Sequence, residues 1–315
     1  MQTLYSTAQN IKIVKKNISI QILDKNGYIK SSEKLHNLSS IILFGNNIDL
    51  DANLASELLI NNVTVTWLSD TGKFIGRLEP THNIDFKNHI KQFKFLECQS
   101  SINYARNLVQ QKITNSHKLF NSPETNFSNI ESLNKATDIK TVRKIHDEYT
   151  KIYYDQLSSL LPTEFKFNGR SKQPPLDPFN SMLSLGYTLL IYEVYSHLLN
   201  LDLQPYRGYL NENRKGSPSL AIDLIEKWRH AIIDSLCLEM IAKNQLNRSD
   251  FTLPNEVNSG VNLQAKALEI FITAYENKLS KLILFDKNEN SKTTYRELLN
   301  KECLNFKELI DNIKT

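Results

Sequence analysis

Two carboxylates and two basic residues lie close together in the segment Pro205 to Arg229, PYRGYLNENRKGSPSLAIDLIEKWR. Asp223 and Glu226 are three residues apart in a predicted helix, so they share one face of that helix. Paired carboxylates are ligands that hard divalent cations prefer. The polar loop before this helix carries Arg214 and Lys215. Carboxylates beside basic loop residues indicate metal-assisted chemistry on a phosphate.

The same acidic residues have a simpler interpretation, because isolated carboxylate pairs are common on solvated helix faces. Glu226 and His230 form an ordinary i, i+4 pair. The run from His146 to Glu148, HDE, is a second short titratable group to which both interpretations apply. Spacing alone favours the solvated face.

Further basic residues lie in predicted loops and not along one helix stripe. They are Arg170, Lys172, Arg207, Arg214 and Lys215. Loops readily hold residues that contact phosphates. The alternative is that these are scattered solubilising charges, and composition does not separate the two interpretations.

The composition limits the class of protein. A chain of 315 residues suggests about two domains. The net charge of +4 is mildly basic and does not by itself indicate nucleic-acid binding. The three cysteines are far apart and form no CxxC pair, so neither a zinc knuckle nor a disulfide framework is indicated. A reducing cytoplasm fits this cysteine usage best.

No membrane segment is predicted. The N-terminus lacks the apolar stretch of a signal peptide. The longest apolar stretch, Leu183 to Leu199, is interrupted by Glu193 and His197 and is too polar to span a bilayer. We therefore expect a cytoplasmic protein without membrane contact.

The chain divides into a β-rich part and a helical part. Residues 1–82 are predicted as a β-domain, whose short β-branched strands TLYS, IKIVKK, SIQILD, SSIILFG and VTVTWLSD are separated by turn signals. Helical apolar spacing from Asp51 to Asn61 predicts one short helix among them. Residues 83–315 are predicted to be helical, so the fold class is α+β.

A helical pattern begins at about Asn88, with apolar residues three and four apart in KQFKFLECQSSINYARNLVQQKITNSHKLF, and four further helical stretches follow. They are Asp138 to Leu161, a helix that begins at Asp177-Pro178 and ends near Leu199, Ser219 to about Asn244, and Val257 to Lys314 with a polar break at Asp286 to Lys292.

The order of segments resembles that of the CRISPR-associated integrase-endonucleases of spacer acquisition, the Cas one family. The resemblance covers nearly the full length. It lies in SSIILFGNNIDLDANLASELLINNVTVTWLSDTGKFIGRLEP, in NGRSKQPPLDPFNSMLSLGYTLLIYEV and in PYRGYLNENRKGSPSLAIDLIEKWR. Asn180 of DPFNSML and Arg229 of EKWR match the family pattern.

This resemblance implies an N-terminal β-sandwich-like domain and an α-helical catalytic domain. It also implies a homodimer that binds double-stranded DNA and a small second adaptation protein (Cas two type). The implied chemistry is strand transfer or cleavage that depends on Mg or Mn. A DNA 3′-hydroxyl attacks a repeat-boundary phosphodiester while the metal stabilises the developing charge.

The metal site that the resemblance implies has three positions. They are a Glu on an early helix, a His that closes a G-F-L-H turn, and an acidic residue on the DLME helix. Glu226 retains the last of these, and the turn reads GYLN, so Asn211 stands at the histidine position. The early-helix pattern places His146 at the Glu position. Glu148 is two residues late, a rotation of about 200° that points it away from the site.

Three hypotheses follow. The first is a DNA-binding homodimer with weakened or lost catalysis, because His146 and Asn211 replace the usual Glu and His. The second is an active Mg- or Mn-dependent endonuclease or integrase, in which Glu226 acts with Glu148 or Asp223 as further ligands. The third is a protein-interaction scaffold without a DNA role. In the first two, the expected DNA-binding residues are Arg170, Lys172, Arg207, Arg214, Lys215 and Arg229.

Overall fold

A computed structural model describes residues 2–81, 85–120, 127–254, 259–286 and 291–312 of the chain. The chain forms two compact units, Met1–Ile84 and Asp85–Thr315. The boundary predicted between residues 82 and 83 lies outside the described residues.

The described part of the first unit contains two four-stranded sheets and one α-helix. Its elements are β1 Gln2–Ser6, β2 Ile11–Lys16, β3 Ser19–Leu23, β4 Ile29–Lys34, β5 Leu38–Phe44, β6 Ile48–Leu50, α1 Ala52–Ile60, β7 Thr64–Leu68 and β8 Phe74–Leu78. One sheet has the order β1-β5-β7-β8, in which only the β7–β8 pair is antiparallel. The other has the order β4-β3-β2-β6, in which β6 is parallel to β2.

Apolar residues from both sheets meet in one core. Alternate residues of β2 and β3 are buried there, such as Ile13 and Ile20, together with Leu58 of α1 and Ile41 of β5. This confirms the predicted strand-rich domain with one helix. The sequence interpretation missed β4, β6 and β8, which all lie at sheet edges. None of their residues is buried, so their apolar pattern is weak, whereas β1, also at an edge, has three buried residues and was predicted.

Nine helices lie in the described part of the second unit, and they confirm the α+β fold class. They are α2 Phe86–Phe95, α3 Gln99–Phe120, α4 Phe127–Lys135, α5 Ile139–Ser159, α6 Pro178–Asn200, α7 Ser219–Ile225, α8 Ser235–Ala242, α9 Ala265–Ser280 and α10 Tyr295–Asp311. The helices α5 and α6 begin where predicted, because Asp138 and Asp177 accept hydrogen bonds from the backbone N–H groups of Thr141 and Asn180.

Two predicted helical stretches are wrong in detail. The single helix predicted from Ser219 to about Asn244 is divided, because α7 ends at Ile225 and a π-helical turn, His230–Asp234, precedes α8. The stretch predicted as helical from Val257 contains the short strand β10 (Asn262–Leu263), which pairs with β9 (Phe251–Thr252).

A hairpin replaces the predicted polar break between the last two helices. Its strands are β11 Leu282–Asp286 and β12 Ser291–Thr294, and residues 287–290 between them lie outside the described residues. Leucine, isoleucine and phenylalanine in β11 suit a strand as well as a helix, so periodicity does not separate the two. Within the described residues, none of the helices is both long and apolar enough to cross a bilayer.

The central helix α6 is apolar on nearly all sides and packs closely on the π-helical turn. We expect Gly186→Ala to lower the free energy of unfolding by about 1–3 kcal/mol, although alanine favours a helix, because overpacking costs more than the helix preference gains. A Cβ at Gly186 would lie 2.5 Å from Cγ2 of Ile233. Urea denaturation followed by circular dichroism would measure the change. The control is Gly76→Ala, where a Cβ has no neighbour within 4 Å; equal stability of both variants would contradict the expectation.

Candidate functional site

The turn that contains Asn211 is attached to Asp223 of α7. The backbone N–H groups of Tyr209 and Leu210 donate to Asp223 Oδ2 at 2.5 and 2.9 Å. The backbone N–H and the side-chain Nδ2 of Asn211 donate to Oδ1 at 2.8 and 2.7 Å. Both Asp223 oxygens therefore serve the turn, and the Asn211 side chain is directed to Asp223.

Asp223 is fully buried, and its pKa reflects two opposing causes. Burial raises the pKa of the carboxyl to about 6, while the N–H donors of the turn act in the opposite direction. The turn itself packs tightly on the start of α7, because a Cβ at Gly208 would lie 2.7 Å from Ser219 Cβ. Ligation of a metal by Asp223 would compete with these hydrogen bonds.

Glu226 follows the last residue of α7 and lies between positive charges. Its Oε1 is 3.1 Å from Arg229 Nη2, and its Oε2 is 2.9 Å from Lys112 Nζ and 3.5 Å from His146 Nε2. The residue is 1% exposed. Burial would raise its pKa, but Arg229 and Lys112 together hold the pKa of Glu226 well below its ordinary value.

His146 lies on the buried face of α5 and contacts the same lysine. Its Nε2 is 2.7 Å from Lys112 Nζ, and its Nδ1 is 3.4 Å from Asp147 Oδ1. Because an ammonium group only donates, we assign the Nε2 lone pair to the contact with Lys112 and the ring proton to Nδ1, on the side of Asp147. The structure therefore brings together two predicted site residues, His146 and Glu226, through a third that the sequence interpretation missed.

Lys112 had a signal in the sequence that was not used. In α3 the buried residues recur with helical spacing, namely Ser101, Ala105, Leu108, Val109, Lys112, Ile113 and Ser116. A single charged residue in such a stripe requires a partner within the fold, since an unpaired buried charge is costly. Burial lowers the pKa of Lys112, and the charge of Glu226 opposes that change.

Glu148 lies away from this site. Its side chain is 55% exposed and pairs with Lys144 at 3.9 Å, one helical turn earlier. The rotation of about 200° between positions 146 and 148 accounts for this arrangement. A role for Glu148 as a metal ligand would require α5 to turn about its axis.

Two more cations, Arg170 and Lys172, lie near Arg229. The guanidinium carbons of Arg170 and Arg229 are 5.5 and 4.8 Å from the ring centroid of Tyr187. Lys172 reaches solvent at the edge of this group, where burial and then the charges of Arg229 and Arg170 lower its pKa. We refer to Lys112, Arg170, Lys172 and Arg229 as the basic cluster.

Hydrogen bonds hold Arg170 in the loop before α6. Its Nη1 donates to Asn180 Oδ1 at 2.9 Å, and its Nη2 donates to Ser184 Oγ at 3.0 Å. Asn180 also donates through Nδ2 to the Gly169 carbonyl at 3.0 Å. Asn180 thus fixes the loop that carries Arg170 and Lys172.

The other predicted DNA-binding residues have separate surroundings. The Arg207 guanidinium carbon is 5.2 Å from the ring centroid of Phe93. Arg214 is exposed and pairs with Glu212 at 3.2 Å, and Lys215 is exposed in the same loop. No described contact joins these three to the basic cluster.

A buried network beneath the basic cluster was also missed. Asp234, at the end of the π-helical turn, accepts hydrogen bonds from the hydroxyl groups of Tyr153 in α5 and Tyr187 in α6, both at 2.5 Å. His230 Nδ1 lies 3.0 Å from the same carboxylate. Because Tyr187 is held in this way, its ring supports Arg170 and Arg229.

The comparisons with known proteins identify the family. The family model for CRISPR associated protein Cas1 matches residues 4–277. The chain is 33% identical over 271 residues to a CRISPR-associated endonuclease Cas1 of Thermus thermophilus, a match that covers 83% of this chain and 79% of the relative. The chain thus belongs to the Cas1 family of CRISPR-associated integrases and endonucleases, which confirms the resemblance.

Solved structures agree with this assignment at the level of the fold. A Cas1 protein from Thermotoga maritima matches with a TM-score of 0.84 at 21% identity, over 100% of this chain and 98% of that chain. A chain of a Cas6-RT-Cas1–Cas2 complex matches with a TM-score of 0.82 at 21% identity, over 99% of this chain and 35% of that chain.

The ionised carboxylate of Glu226 is the basis of the next prediction. We expect Glu226→Gln to lower the free energy of unfolding by about 3–5 kcal/mol at neutral pH, because buried Lys112 and Arg229 lose their anionic partner. The folded-state pKa lies well below the ordinary 4.5, so this stabilisation is present above that value and is lost as the pH falls below it. The difference between wild type and variant should therefore shrink in acid.

Denaturant unfolding at a series of pH values would measure this difference. Glu148→Gln is the control, because it removes an exposed carboxylate paired with Lys144 and should change stability by about 0.5 kcal/mol or less. A difference for Glu226→Gln that stayed constant down to about pH 3 would contradict the role assigned to its ionisation.

Proposed function

We propose that this Cas1-family protein binds double-stranded DNA and that its metal-dependent strand transfer or cleavage is weakened or lost. The observation that carries the proposal is the basic cluster. It gathers four cations, Lys112, Arg170, Lys172 and Arg229, beside Glu226, with Asp147 and Asp234 as the other nearby carboxylates. Such a surplus of positive charge suits the phosphate backbone, which supplies most of the affinity in sequence-independent binding.

The loss of catalysis is supported by what each candidate ligand contacts. Glu226 is paired with Lys112 and Arg229, Asn211 and Asp223 contact each other, and Glu148 is exposed and paired with Lys144. A magnesium ion usually requires one or two carboxylates together with several waters in near-octahedral geometry. This arrangement disfavours the alternative in which Glu148 or Asp223 rebuilds an active site.

The assembly is proposed by analogy with a structural relative. We propose a homodimer that associates with the small second adaptation protein, as Cas1 and Cas2 do in the complex named above. Light scattering after size-exclusion chromatography would give the mass of the protein alone and with that partner.

DNA binding is tested first. We expect affinity for a double-stranded oligonucleotide to fall steeply with salt, because each neutralised phosphate releases counterions. Lys172→Ala should weaken binding by about threefold to tenfold for all sequences and reduce the salt slope by about one. Fluorescence anisotropy in the presence of a chelator would measure both quantities. Lys266→Ala, which removes an exposed lysine at the start of α9, is the matched control and should have no such effect. Binding that did not respond to salt would favour the scaffold hypothesis.

Catalysis is tested separately. We expect no cleavage or integration by the wild type in Mg²⁺ or Mn²⁺ above the level of Glu226→Ala, because the carboxylate oxygens of Glu226 and Asp223 are committed to other partners. Gel assays on branched and duplex DNA, with an active family member as positive control, would measure it. Robust activity that Glu226→Ala abolishes would establish the rebuilt active site instead.

A further inference from the structure

Lys112 lies at the junction of α3, α5 and the segment after α7. Its Nζ is 2.7 Å from His146 Nε2, 2.9 Å from Glu226 Oε2 and 3.2 Å from Thr150 Oγ1. The residue is 3% exposed. An ammonium group has three donors, and three polar groups surround this one.

The residues around Lys112 do not fit the divalent metal that the family implies. A neutral imidazole binds a metal through its lone pair, but the lone pair of His146 faces Lys112 while Nδ1 faces Asp147. The two oxygens of Glu226 face Lys112 and Arg229. Nζ lies 2.7 Å from Nε2 and 2.9 Å from Oε2, so an ion that used these two atoms as ligands would compete with the ammonium for them. Among the described residues, no group of three or more His, Cys, Asp or Glu side chains is placed to hold a metal.

We propose that the Lys112 ammonium is a built-in cation that takes the place of the divalent metal between His146 and Glu226. This proposal gives a cause for the loss of metal chemistry. What it says about DNA rests on the proposed function. The ammonium and Arg229 together compensate the charge of Glu226, which leaves the positive charge of Arg170 and Lys172 available to a DNA phosphate without any divalent ion.

The competing explanation is that Lys112 is an ordinary ion-pair partner that moves aside when a metal binds. Such movement would have to take a buried ammonium away from His146, Glu226 and Thr150. The incoming ion would also be repelled by Arg229, whose Nη2 is 3.1 Å from the same carboxylate. The two explanations predict different metal affinities for a variant that lacks this charge.

The test is a Mn²⁺ titration of the full-length protein, followed by electron paramagnetic resonance of the free ion. Wild type is expected to leave the signal unchanged at millimolar concentrations. Lys112→Met retains the length of the side chain and removes its charge, so it frees the His146 lone pair and one Glu226 oxygen. We expect it to bind Mn²⁺ about tenfold more tightly than wild type or better.

Lys118→Met is the matched control, because Lys118 lies on the same helix but is exposed and contacts Asn115. It should behave as wild type. Equal Mn²⁺ affinity of wild type and Lys112→Met would overturn the proposal. Should Lys112→Met fail to fold, the comparison is between wild type and His146→Ala: Mn²⁺ binding by wild type that His146→Ala abolishes would overturn the proposal, and no Mn²⁺ binding by wild type supports it.

A DNA-binding measurement with and without Mn²⁺ distinguishes failure of this inference from failure of the proposed function. Wild type should bind duplex DNA equally well with chelator and with Mn²⁺, whereas Lys112→Met should bind more weakly and regain affinity when Mn²⁺ is added. Tighter DNA binding by wild type in Mn²⁺ than in chelator would overturn the inference alone. Absence of salt-sensitive DNA binding by wild type would overturn the proposed function, while the Mn²⁺ titration would still decide whether Lys112 excludes the metal.

Discussion

The arrangement of the site depends on one buried carboxylate. Glu226 is 1% exposed, and an ionised carboxylate at that depth is stable only when cations or donors compensate for the lost water. Lys112 supplies one cation from α3, and Arg229 supplies the other from the segment after α7. Lys112 in turn contacts His146 of α5. A single negative charge therefore fixes the relative positions of three elements.

Two more buried carboxylates, Asp223 and Asp234, lie in the same stretch of chain, and the groups that each one contacts determine its structural role. Asp223 accepts only N–H donors from the turn and from Asn211, so it fixes the backbone at the site. Asp234 accepts from two tyrosine hydroxyl groups and lies beside His230, so it joins α5 and α6 to the π-helical turn. Of the three, Glu226 alone has lysine and arginine partners among the described contacts. It is therefore the one that brings positive charge together.

Local rules were sufficient for part of this arrangement. The helix starts at Asp138 and Asp177 and the alternating strands depend on short-range chemistry, so the sequence was sufficient to predict them. Helical rotation alone also separates buried His146 from exposed Glu148, as the spacing indicated. The direction of the Asn211 amide could not be predicted, because Asp223 determines it from twelve residues away. The π-helical turn likewise depends on long-range contacts that the spacing of apolar residues in the sequence does not reveal.

Lys112 shows most clearly why the remaining contacts of the site could not be predicted from the sequence. Its place in the apolar stripe of α3 indicates a buried charge, but the identity of the partner depends on how α3 packs against α5 and the end of α7. A buried carboxylate in this position can be neutralised by a divalent ion or by an ammonium group. The ammonium is covalently attached, so it costs no entropy of association and is present whether or not metal is available. It also carries a single charge and cannot activate a water or polarise a phosphate as a divalent metal does. The same contact can therefore maintain the fold of the site and, in our proposal, remove the chemistry that the fold supports in other family members.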